Sequence, residues 1–437
     1  MHTDPQLERI ITKADAAYKN DWRLRTLDAR KAVVKKAAAI LRENLDEFAK
    51  PITLEMGKLF REAQAEVTLS ADILDYYADN AATFLAPRKL HVAEGEALVE
   101  SEPLGVLFCV EPWNFPYYQL ARVAGPDLMA GNVLIVKHAP NVPQCAVAFE
   151  KLLLDAGAPE GVYTNVFLSN EQAAKAVSDP RIKGVALTGS ERAGSAVAAE
   201  AGQALKKTTM ELGGSDAFIV LDDADMDTAV KWGVWGRMNN TGECCVAAKR
   251  FILHENIADA FVDRFKKALE ALVPGDPMGP DTTLGPLCTE GALQLVEKQI
   301  QSAVQGGAKV LTGGKRLDRP GYFLAPTILT DITPENPAFR VEFFAPVALI
   351  FRVKTDQEAV DLANDSPYGL GGSVITRDIE RGKRIARQID TGMVFINQST
   401  WTAPDLPFGG VKNSGYGREL SDLGISEFVN KKLIRVA

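Results

Sequence analysis

The sequence predicts an α/β protein in which doubly wound parallel sheets form the framework. Strand-like apolar runs alternate with helical segments through most of the chain, which is typical of βαβ units on a parallel sheet. Right-handed crossovers between such units place helices on both faces of the sheet. The length of 437 residues corresponds to two or three domains, and 46% hydrophobic with 24% charged residues is an ordinary globular composition.

The chain begins with predicted helices. Apolar residues recur at helical spacing from residue 5 to residue 50, and a second long helix is predicted over 63–80. Residues 97–110 then have an extended pattern with a break at Pro103-Leu104-Gly105.

Strands and helices alternate from residue 132 onward. In the first half the predicted strands are 132–137, 163–168, 182–187 and 208–211, and the predicted helices are 145–156, 171–178 and 192–205. In the second half the predicted strands are 217–221, 251–254, 347–351, 373–376 and 393–397, and the predicted helices are 226–238, 257–272, 357–364 and 379–389. Residues 273–286, rich in Pro, Gly and Asp, are predicted as a surface loop, and 427–437 as an edge strand.

Charge and cysteine content narrow the class of function. Lys and Arg total 49 and Asp and Glu total 57, so the formal net charge is −8, which argues against a dedicated nucleic-acid or anionic-membrane binder. Five cysteines are too few and odd in number for a disulfide framework, which favours a reducing compartment. The four histidines lack ligand partners at zinc-like spacing, so no metal site is expected.

Targeting signals are not apparent in the sequence. No apolar run approaches the roughly 18 residues that a membrane span requires. The initial Met-His-Thr-Asp-Pro lacks the basic and apolar regions of a signal peptide. We therefore expect a cytoplasmic protein.

Residues 187–194, Leu-Thr-Gly-Ser-Glu-Arg-Ala-Gly, follow a predicted strand and open a predicted helix. The free N–H groups of a helix N-terminus suit a pyrophosphate, with Gly189 allowing close approach and Ser190 offering a hydroxyl. The alternative is that Ser190 is only the N-cap of the helix. Neither a Gly-x-Gly-x-x-Gly fingerprint nor a P-loop occurs in the chain.

Three further residues are candidates for catalysis, each with a structural alternative. Cys245, predicted at a loop-to-helix junction after Gly242, is a candidate thiolate nucleophile or else a small buried apolar residue. Glu211 ends a predicted strand, where it is either a general base or a surface carboxylate. Asn114 lies between two prolines, where its amide could stabilise an oxyanion or simply belong to a structural turn.

Together these segments resemble the aldehyde dehydrogenase family, in its order and approximate spacing over nearly the whole chain. The motifs that carry the resemblance are Glu-Pro-Trp-Asn-Phe-Pro at 111–116, Gly-Asn-Val-Leu-Ile-Val-Lys at 131–137, Leu-Thr-Gly-Ser at 187–190, Met-Glu-Leu-Gly-Gly at 210–214, Gly-Glu-Cys-Cys at 242–245, Glu-Phe-Phe-Ala-Pro-Val at 342–347 and Pro-Phe-Gly-Gly-Val-Lys-Asn-Ser-Gly-Tyr-Gly-Arg-Glu at 407–419. Residues 117–119 and 137–142 resemble the short succinate-semialdehyde dehydrogenase branch. Glu243 stands where the family usually has Gln.

The resemblance implies a two-stage oxidation of an aldehyde to a carboxylic acid. Cys245 would be the nucleophile that forms a thiohemiacetal and then a thioester. Asn114 and the Cys245 backbone N–H would form the oxyanion hole, and Glu211 would activate the water that hydrolyses the thioester. Hydride would pass to a nicotinamide between these stages.

The resemblance also implies a cofactor site for NADP or NAD. Lys137 would contact the adenosine ribose, and Glu342 the nicotinamide ribose. Pro140 stands where many NAD-preferring members carry Glu, which would repel a 2′-phosphate, so NADP is expected to be tolerated and even preferred. The remaining cofactor positions are Pro112, Trp113, Gly189, Ser190, Leu212, Gly213 and Phe344.

For the substrate the resemblance implies succinate semialdehyde, whose carboxylate Arg122 would bind. Tyr118, Trp401 and Thr402 would complete the substrate pocket. Another short aldehyde is the alternative substrate.

Two other functions compete with this interpretation. One is a cysteine esterase or acyltransferase without nicotinamide, and the retained cofactor positions argue against it. The other is a non-catalytic scaffold of the same fold, and the retained Cys245, Glu211 and Asn114 argue against that.

The resemblance predicts the domain organisation as well. It implies an aldehyde dehydrogenase-like fold with a doubly wound NAD(P)-binding domain, an α/β catalytic domain and a small oligomerisation element, the last pairing across subunits of a homodimer or homotetramer. The ranges are 1–85 and 104–210 for the NAD(P)-binding domain, 211–417 for the catalytic domain, and 86–103 and 418–437 for the oligomerisation element. Relatives begin with extended segments before the first helix, whereas this chain opens almost directly on that helix. The NAD(P)-binding domain is therefore expected to lack peripheral strands.

Overall fold

A computed structural model describes all 437 residues and begins with a group of helices. Thr3 caps the first helix by accepting from the Gln6 N–H, and Gly57 ends the third in the left-handed conformation at φ +83°. Their apolar faces join one hydrophobic core with the first sheet and its connecting helices, and their charged faces lie in solvent. The helices are Asp4–Asn20, Leu27–Glu43, Leu45–Met56 and Phe60–Phe84, with a 3-10 turn at Trp22–Leu24.

The first sheet has six strands and is parallel except at one edge. In spatial order its strands are Gly415–Tyr416, Lys207–Glu211, Ile182–Thr188, Val106–Glu111, Val133–His138 and Tyr163–Asn165. The short strand Gly415–Tyr416 runs antiparallel to its neighbour and comes from the far end of the chain. The connecting helices are Pro116–Ala130, Pro143–Asp155, Asn170–Ser178 and Glu191–Gln203.

The second sheet has seven strands, again parallel except for its first pair. In spatial order they are Lys309–Thr312, Thr327–Thr330, Val347–Val353, Ala248–His254, Asp216–Val220, Gly372–Ile375 and Phe395–Ile396. The helices around it are Met226–Met238, Glu255–Glu270, Glu290–Gln305, Asp356–Asn364 and Ile379–Ala386. Alternate residues of one strand enter different cores, Ala217 and Ile219 on one face and Phe218 and Val220 on the other, so both faces are covered.

A third, small antiparallel sheet joins distant parts of the chain. It consists of Arg88–Leu90, Glu96–Pro103 and Val429–Val436, with the tail strand at an edge. Beyond Val429 the tail strand is exposed, and Leu433 retains 59% of its accessible surface. The remaining elements are the strand pair Tyr368–Gly369 and Val411–Lys412, the 3-10 turn Asn239–Gly242 and the short helix Ser421–Ile425.

The observed elements confirm most of the predicted ones, with several differences. Helix Pro116–Ala130 was not predicted. The helix Glu290–Gln305 and the two strands after it were not predicted. The predicted strand 393–397 is only Phe395–Ile396, because Asn397 turns into the left-handed region at φ +60°. The predicted domain ranges stay a prediction, and Gly415–Tyr416, assigned there to the catalytic domain, pairs with the first sheet. No helix combines the length and the apolar character needed to cross a membrane.

Candidate active site

A cavity of about 270 Å³ opens at the carboxyl ends of the first sheet's strands, where ligands of open parallel sheets usually bind. Strand Lys207–Glu211 delivers Glu211 to it, and a loop from the second half of the chain delivers Cys245. The cavity thus gathers most of the predicted residues. Its lining comprises Pro112, Trp113, Asn114, Gln119, Thr188, Gly189, Ser190, Glu211, Leu212, Gly213, Cys245, Glu342 and Phe344.

A second, narrow cavity of about 20 Å³ meets the first at Cys245. The Tyr118 hydroxyl donates to the Thr402 hydroxyl at 2.9 Å, and the Trp401 ring lies edge-on 6.0 Å from Phe115. Cys245 lines both cavities, so its thiol lies between a mostly apolar channel and the larger cleft. The predicted substrate residues Tyr118, Trp401 and Thr402 all line this channel.

The loop that carries Cys245 has an unusual backbone. Asn240 and Thr241 are left-handed at φ 51° and 53°, and a side chain at Gly242 would bring its Cβ within 2.5 Å of the Ala345 carbonyl oxygen. The prediction of a loop-to-helix junction is wrong: Cys245 lies between the 3-10 turn Asn239–Gly242 and strand Ala248–His254. A helix dipole therefore does not act on this thiol.

The two neighbouring thiols differ in accessibility. Cys244 is buried at 4% exposure, whereas Cys245 is only partly buried. Hydrogen bonding with Cys244, together with burial, raises the pKa of the Cys245 thiol, while the charge of Lys249 acts in the opposite direction. Access therefore favours Cys245 as the nucleophile.

Glu211 lines the same cavity as this thiol and has no hydrogen-bond partner for its carboxylate. It is 2% exposed, and neither carboxylate oxygen has a hydrogen-bond donor in the protein. Burial and the nearby Glu419 raise its pKa well above the ordinary value, with Arg122 opposing. A Cβ at Gly409 would lie 2.7 Å from the Glu211 Oε1, so this carboxylate needs a glycine there. A buried carboxyl with a raised pKa and free oxygens is suited to accept a proton from water.

Asn114 is fixed through its main chain by residues that the sequence did not single out. The carbonyl oxygen of Asn114 accepts from Lys58 Nζ at 2.8 Å and from Asn240 Nδ2 at 2.9 Å. Lys58 is fully buried and ion-paired with Glu66, whose Oε1 accepts from the first N–H groups of helix Pro116–Ala130. The Asn114 amide itself donates to the Glu243 carbonyl at 3.2 Å.

Arg122 lies outside both cavities, 1% exposed. Its guanidinium pairs with Glu419, and it donates to the Tyr118 hydroxyl at 3.2 Å and to the Thr188 hydroxyl at 3.3 Å. Arg122 is thus a buried residue of helix Pro116–Ala130 and not an exposed one. Its contact with a substrate carboxylate stays a prediction, and the structure brings its guanidinium to the hydroxyl of Tyr118, a residue that lines the channel.

A third cavity, of about 380 Å³, lies on the other side of helix Glu191–Gln203. It is lined by Lys137 and Arg192 among small apolar residues such as Ala173 and Val197. Burial lowers the pKa of Lys137, which has no carboxylate partner. The predicted cofactor residue Pro140 is exposed in a turn and lines none of these cavities. Ser190 does cap the helix, accepting from the Ala193 N–H at 3.3 Å, and it also lines the main cavity.

Glu243 gives a prediction about stability. It is 1% exposed, its Oε1 accepts from the Cys288 N–H at 3.1 Å, and its Oε2 has no partner. Burial raises its pKa well above 4.5, so ionisation of this carboxyl is less favourable in the folded state than in the unfolded chain. The stabilising effect of Glu243→Gln, relative to the natural chain, should therefore grow as pH rises from 5 to 8.

Each pH unit in this window adds up to about 1.4 kcal/mol while the folded carboxyl stays neutral. Thermal or urea unfolding at the two pH values measures the change, with Glu43→Gln as the control at an exposed position. An equal effect of Glu243→Gln at both pH values would contradict the prediction.

Comparisons with known proteins identify the family. Residues 1–434 match the aldehyde dehydrogenase family. A succinate-semialdehyde dehydrogenase [NADP(+)] of Deinococcus radiodurans is 50% identical over 430 residues, which is 98% of this chain and 90% of that protein. A succinate-semialdehyde dehydrogenase [NADP(+)] 1 of Mycobacterium tuberculosis is 44% identical, covering 100% of this chain and 96% of its own. The crystal structure of succinic semialdehyde dehydrogenase from Streptococcus pyogenes in complex with NADP+ superposes with a TM-score of 0.98 at 47% identity, covering 99% of this chain and 95% of that one.

Proposed function

Because this chain belongs to the aldehyde dehydrogenase family, we propose that it oxidises succinate semialdehyde to succinate and prefers NADP to NAD. It is an NAD(P)-dependent aldehyde dehydrogenase. The observation that carries the proposal is the single cavity that joins Cys245, Glu211 and Asn114 to most of the predicted cofactor residues. The names of its relatives support the substrate and the cofactor.

The residues present fit a dinucleotide. Two cavities flank the N-terminus of helix Glu191–Gln203, one containing Cys245 and Glu342 and the other containing Lys137. The helix terminus between them provides N–H groups for a pyrophosphate. A Cβ at Gly213 would lie 2.6 Å from the Glu342 carboxylate, so the cleft is kept open by a glycine beside the acid. When bound, the nicotinamide supplies the hydride acceptor.

The residues of this chain perform the other steps. The Cys245 thiolate adds to the aldehyde carbon, and the developing oxyanion takes hydrogen bonds from the Asn114 amide and the Cys245 N–H. The Cys245 N–H has no acceptor within the protein, which leaves it available for this task. After hydride leaves the carbon, Cys245 holds a thioester. Glu211 removes a proton from water as the water attacks that thioester, which releases the acid and the thiol.

A short aldehyde without a carboxylate is the second candidate substrate. The observation that favours it is the Arg122–Glu419 ion pair, which neutralises the cation expected to bind the substrate carboxylate. The channel beside Cys245 is otherwise lined mainly by apolar groups, including Leu69, Phe115 and Trp401.

A kinetic comparison of succinate semialdehyde with butanal tests the proposal. Each aldehyde is assayed once with NADP and once with NAD. We expect kcat/KM to be at least about tenfold higher for succinate semialdehyde and for NADP, a difference of about 1.4 kcal/mol in each case. Equal or better oxidation of butanal would support the second substrate. A tenfold preference for NAD would overturn the cofactor preference.

The proposal extends to assembly and location. The exposed edge of the strand Val429–Val436 supports pairing with a second copy, as expected for a homodimer or homotetramer. On this proposal the small sheet is the oligomerisation element, and the two large sheets are the NAD(P)-binding and catalytic domains. Five free cysteines support a reducing compartment, for which we propose the cytoplasm.

A further inference from the structure

Lys249 is a fully buried cation directly behind the nucleophile. It is the second residue of strand Ala248–His254 and has no exposed side-chain surface. Its Nζ donates to the Cys245 carbonyl at 2.7 Å and to the Cys244 carbonyl at 2.9 Å, and it lies 3.1 Å from Glu342 Oε1. Two of the three N–H donors of the ammonium group therefore bind backbone carbonyls, and Glu342 supplies a neighbouring negative charge.

The contact with Cys244 determines where the Cys245 N–H points. The Cys244 carbonyl and the Cys245 N–H belong to one planar trans peptide, in which oxygen and hydrogen point in opposite directions. Lys249 draws the carbonyl oxygen toward the protein interior, so the N–H is turned away from Lys249. Since that N–H has no acceptor in the protein, it remains free on the other side of the peptide.

No regular structure would otherwise hold this peptide. Cys245 lies in an irregular turn between Asn239–Gly242 and Ala248–His254. Within the turn only the Ala247 N–H, at 3.2 Å, also reaches the Cys244 carbonyl. A side chain anchored in a buried strand is therefore the main restraint on the orientation of the N–H.

The same ammonium connects the nucleophile to the cofactor side of the cleft. Glu342 Oε1 accepts a hydrogen bond from the Gly214 N–H at 3.1 Å, and the same oxygen forms the ion pair with Lys249. The charged and titratable groups that act on the thiol are Cys244, Lys249 and Arg122, and Tyr118 interacts with it as well. Asp216 is a further carboxylate influenced by Lys249.

We propose that Lys249 is a positioning residue that aims the Cys245 N–H at the developing oxyanion and holds Glu342 in place beside the nucleophile. The proposal rests on the thioester chemistry proposed above. It predicts that loss of Lys249 harms reactions that form an oxyanion far more than reactions that only use the thiolate.

Two probes separate these effects in the protein without cofactor. p-Nitrophenyl acetate acylates Cys245 through a tetrahedral oxyanion, whereas iodoacetamide alkylates the same sulfur without one. For Lys249→Met we expect acylation to fall about a hundredfold more than alkylation, the usual effect of losing one oxyanion donor. The pH dependence of alkylation reports separately on how the charge of Lys249 affects the pKa of Cys245.

One variant serves as the control. Lys206→Met removes a lysine that also binds two carbonyls, those of Val177 and Asp179, away from the cleft, and should change neither rate. If Lys249→Met does not fold, the double variant Lys249→Met and Glu342→Gln is used, because it removes both charges of the buried pair together. The ratio of acylation to alkylation is then measured in that variant.

The outcomes are distinct. A selective loss of acylation in folded Lys249→Met protein supports the proposal. Equal loss of both rates, or no loss, overturns it. Absence of Cys245 acylation in the natural protein would instead contradict the proposed function.

Discussion

Replacing Cys245 by alanine is expected to abolish aldehyde oxidation, lowering kcat by at least about 10⁴-fold. Cys245 is the thiol that lines both cavities, and Glu211 lines the larger of them with it. Without the sulfur no covalent adduct forms, and neither the oxyanion donors nor Glu211 has an intermediate on which to act. Absorbance of the reduced nicotinamide measures the loss, and mass spectrometry of the acylated protein measures the adduct.

Cys244→Ala is the matched control, and it carries its own expectation. Cys244 is buried, so its removal should leave turnover within about tenfold of the natural enzyme. Hydrogen bonding with Cys244 is the main cause that raises the pKa of Cys245. The variant should therefore reach half-maximal alkylation of Cys245 at a lower pH. An inactive Cys244→Ala together with an active Cys245→Ala would reverse the assignment of the nucleophile.

The sequence was informative where local chemistry and periodicity agree. Apolar periodicity and flanking polar residues predicted the strand that carries Glu211. They also predicted the helix that Ser190 caps. The missed helix Glu290–Gln305 carried a similar signal, since Leu293, Val296 and Ile300 fall at helical spacing behind the N-cap Thr289.

Long-range partners could not be predicted in this way. Arg122 is buried because Glu419, 297 positions away in the chain, neutralises it. Lys58 and Lys249 occur in segments that give no hint of buried cations, and a lysine is rarely buried unless its donors are all used. Their acceptors are backbone carbonyls of irregular turns, whose positions are defined only after the two large sheets come together.

The local prediction for Cys245 failed for a related reason. A glycine before a cysteine is compatible with the start of a helix or of a strand, and the sequence offered no way to choose. In the structure two left-handed residues at 240 and 241 redirect the chain before Gly242, and the strand that follows joins the second sheet. The thiol therefore owes its surroundings to contacts between the two sheets rather than to a helix terminus.

Asn114→Ala is expected to lower kcat by about 10² to 10³-fold, the effect of losing one oxyanion donor. The Asn114 amide has only one partner in the resting protein, the Glu243 carbonyl at 3.2 Å, and that long contact is exchanged readily for a stronger acceptor. Because the amide acts on charge that develops in the transition state, the cofactor affinity should change little.

The measurement is kcat and KM for the aldehyde, with the NADP dissociation constant determined separately by fluorescence titration. Asn141→Ala is the matched control: that amide lies 3.0 Å from the Cys288 sulfur and outside the active-site cavities, so kcat should be retained. A loss confined to NADP binding would mean that Asn114 shapes the cleft and does not stabilise the oxyanion. Since the Asn114 carbonyl is anchored by Lys58 and Asn240, the alanine variant should keep the loop in place, and the loss of rate then reports the missing amide.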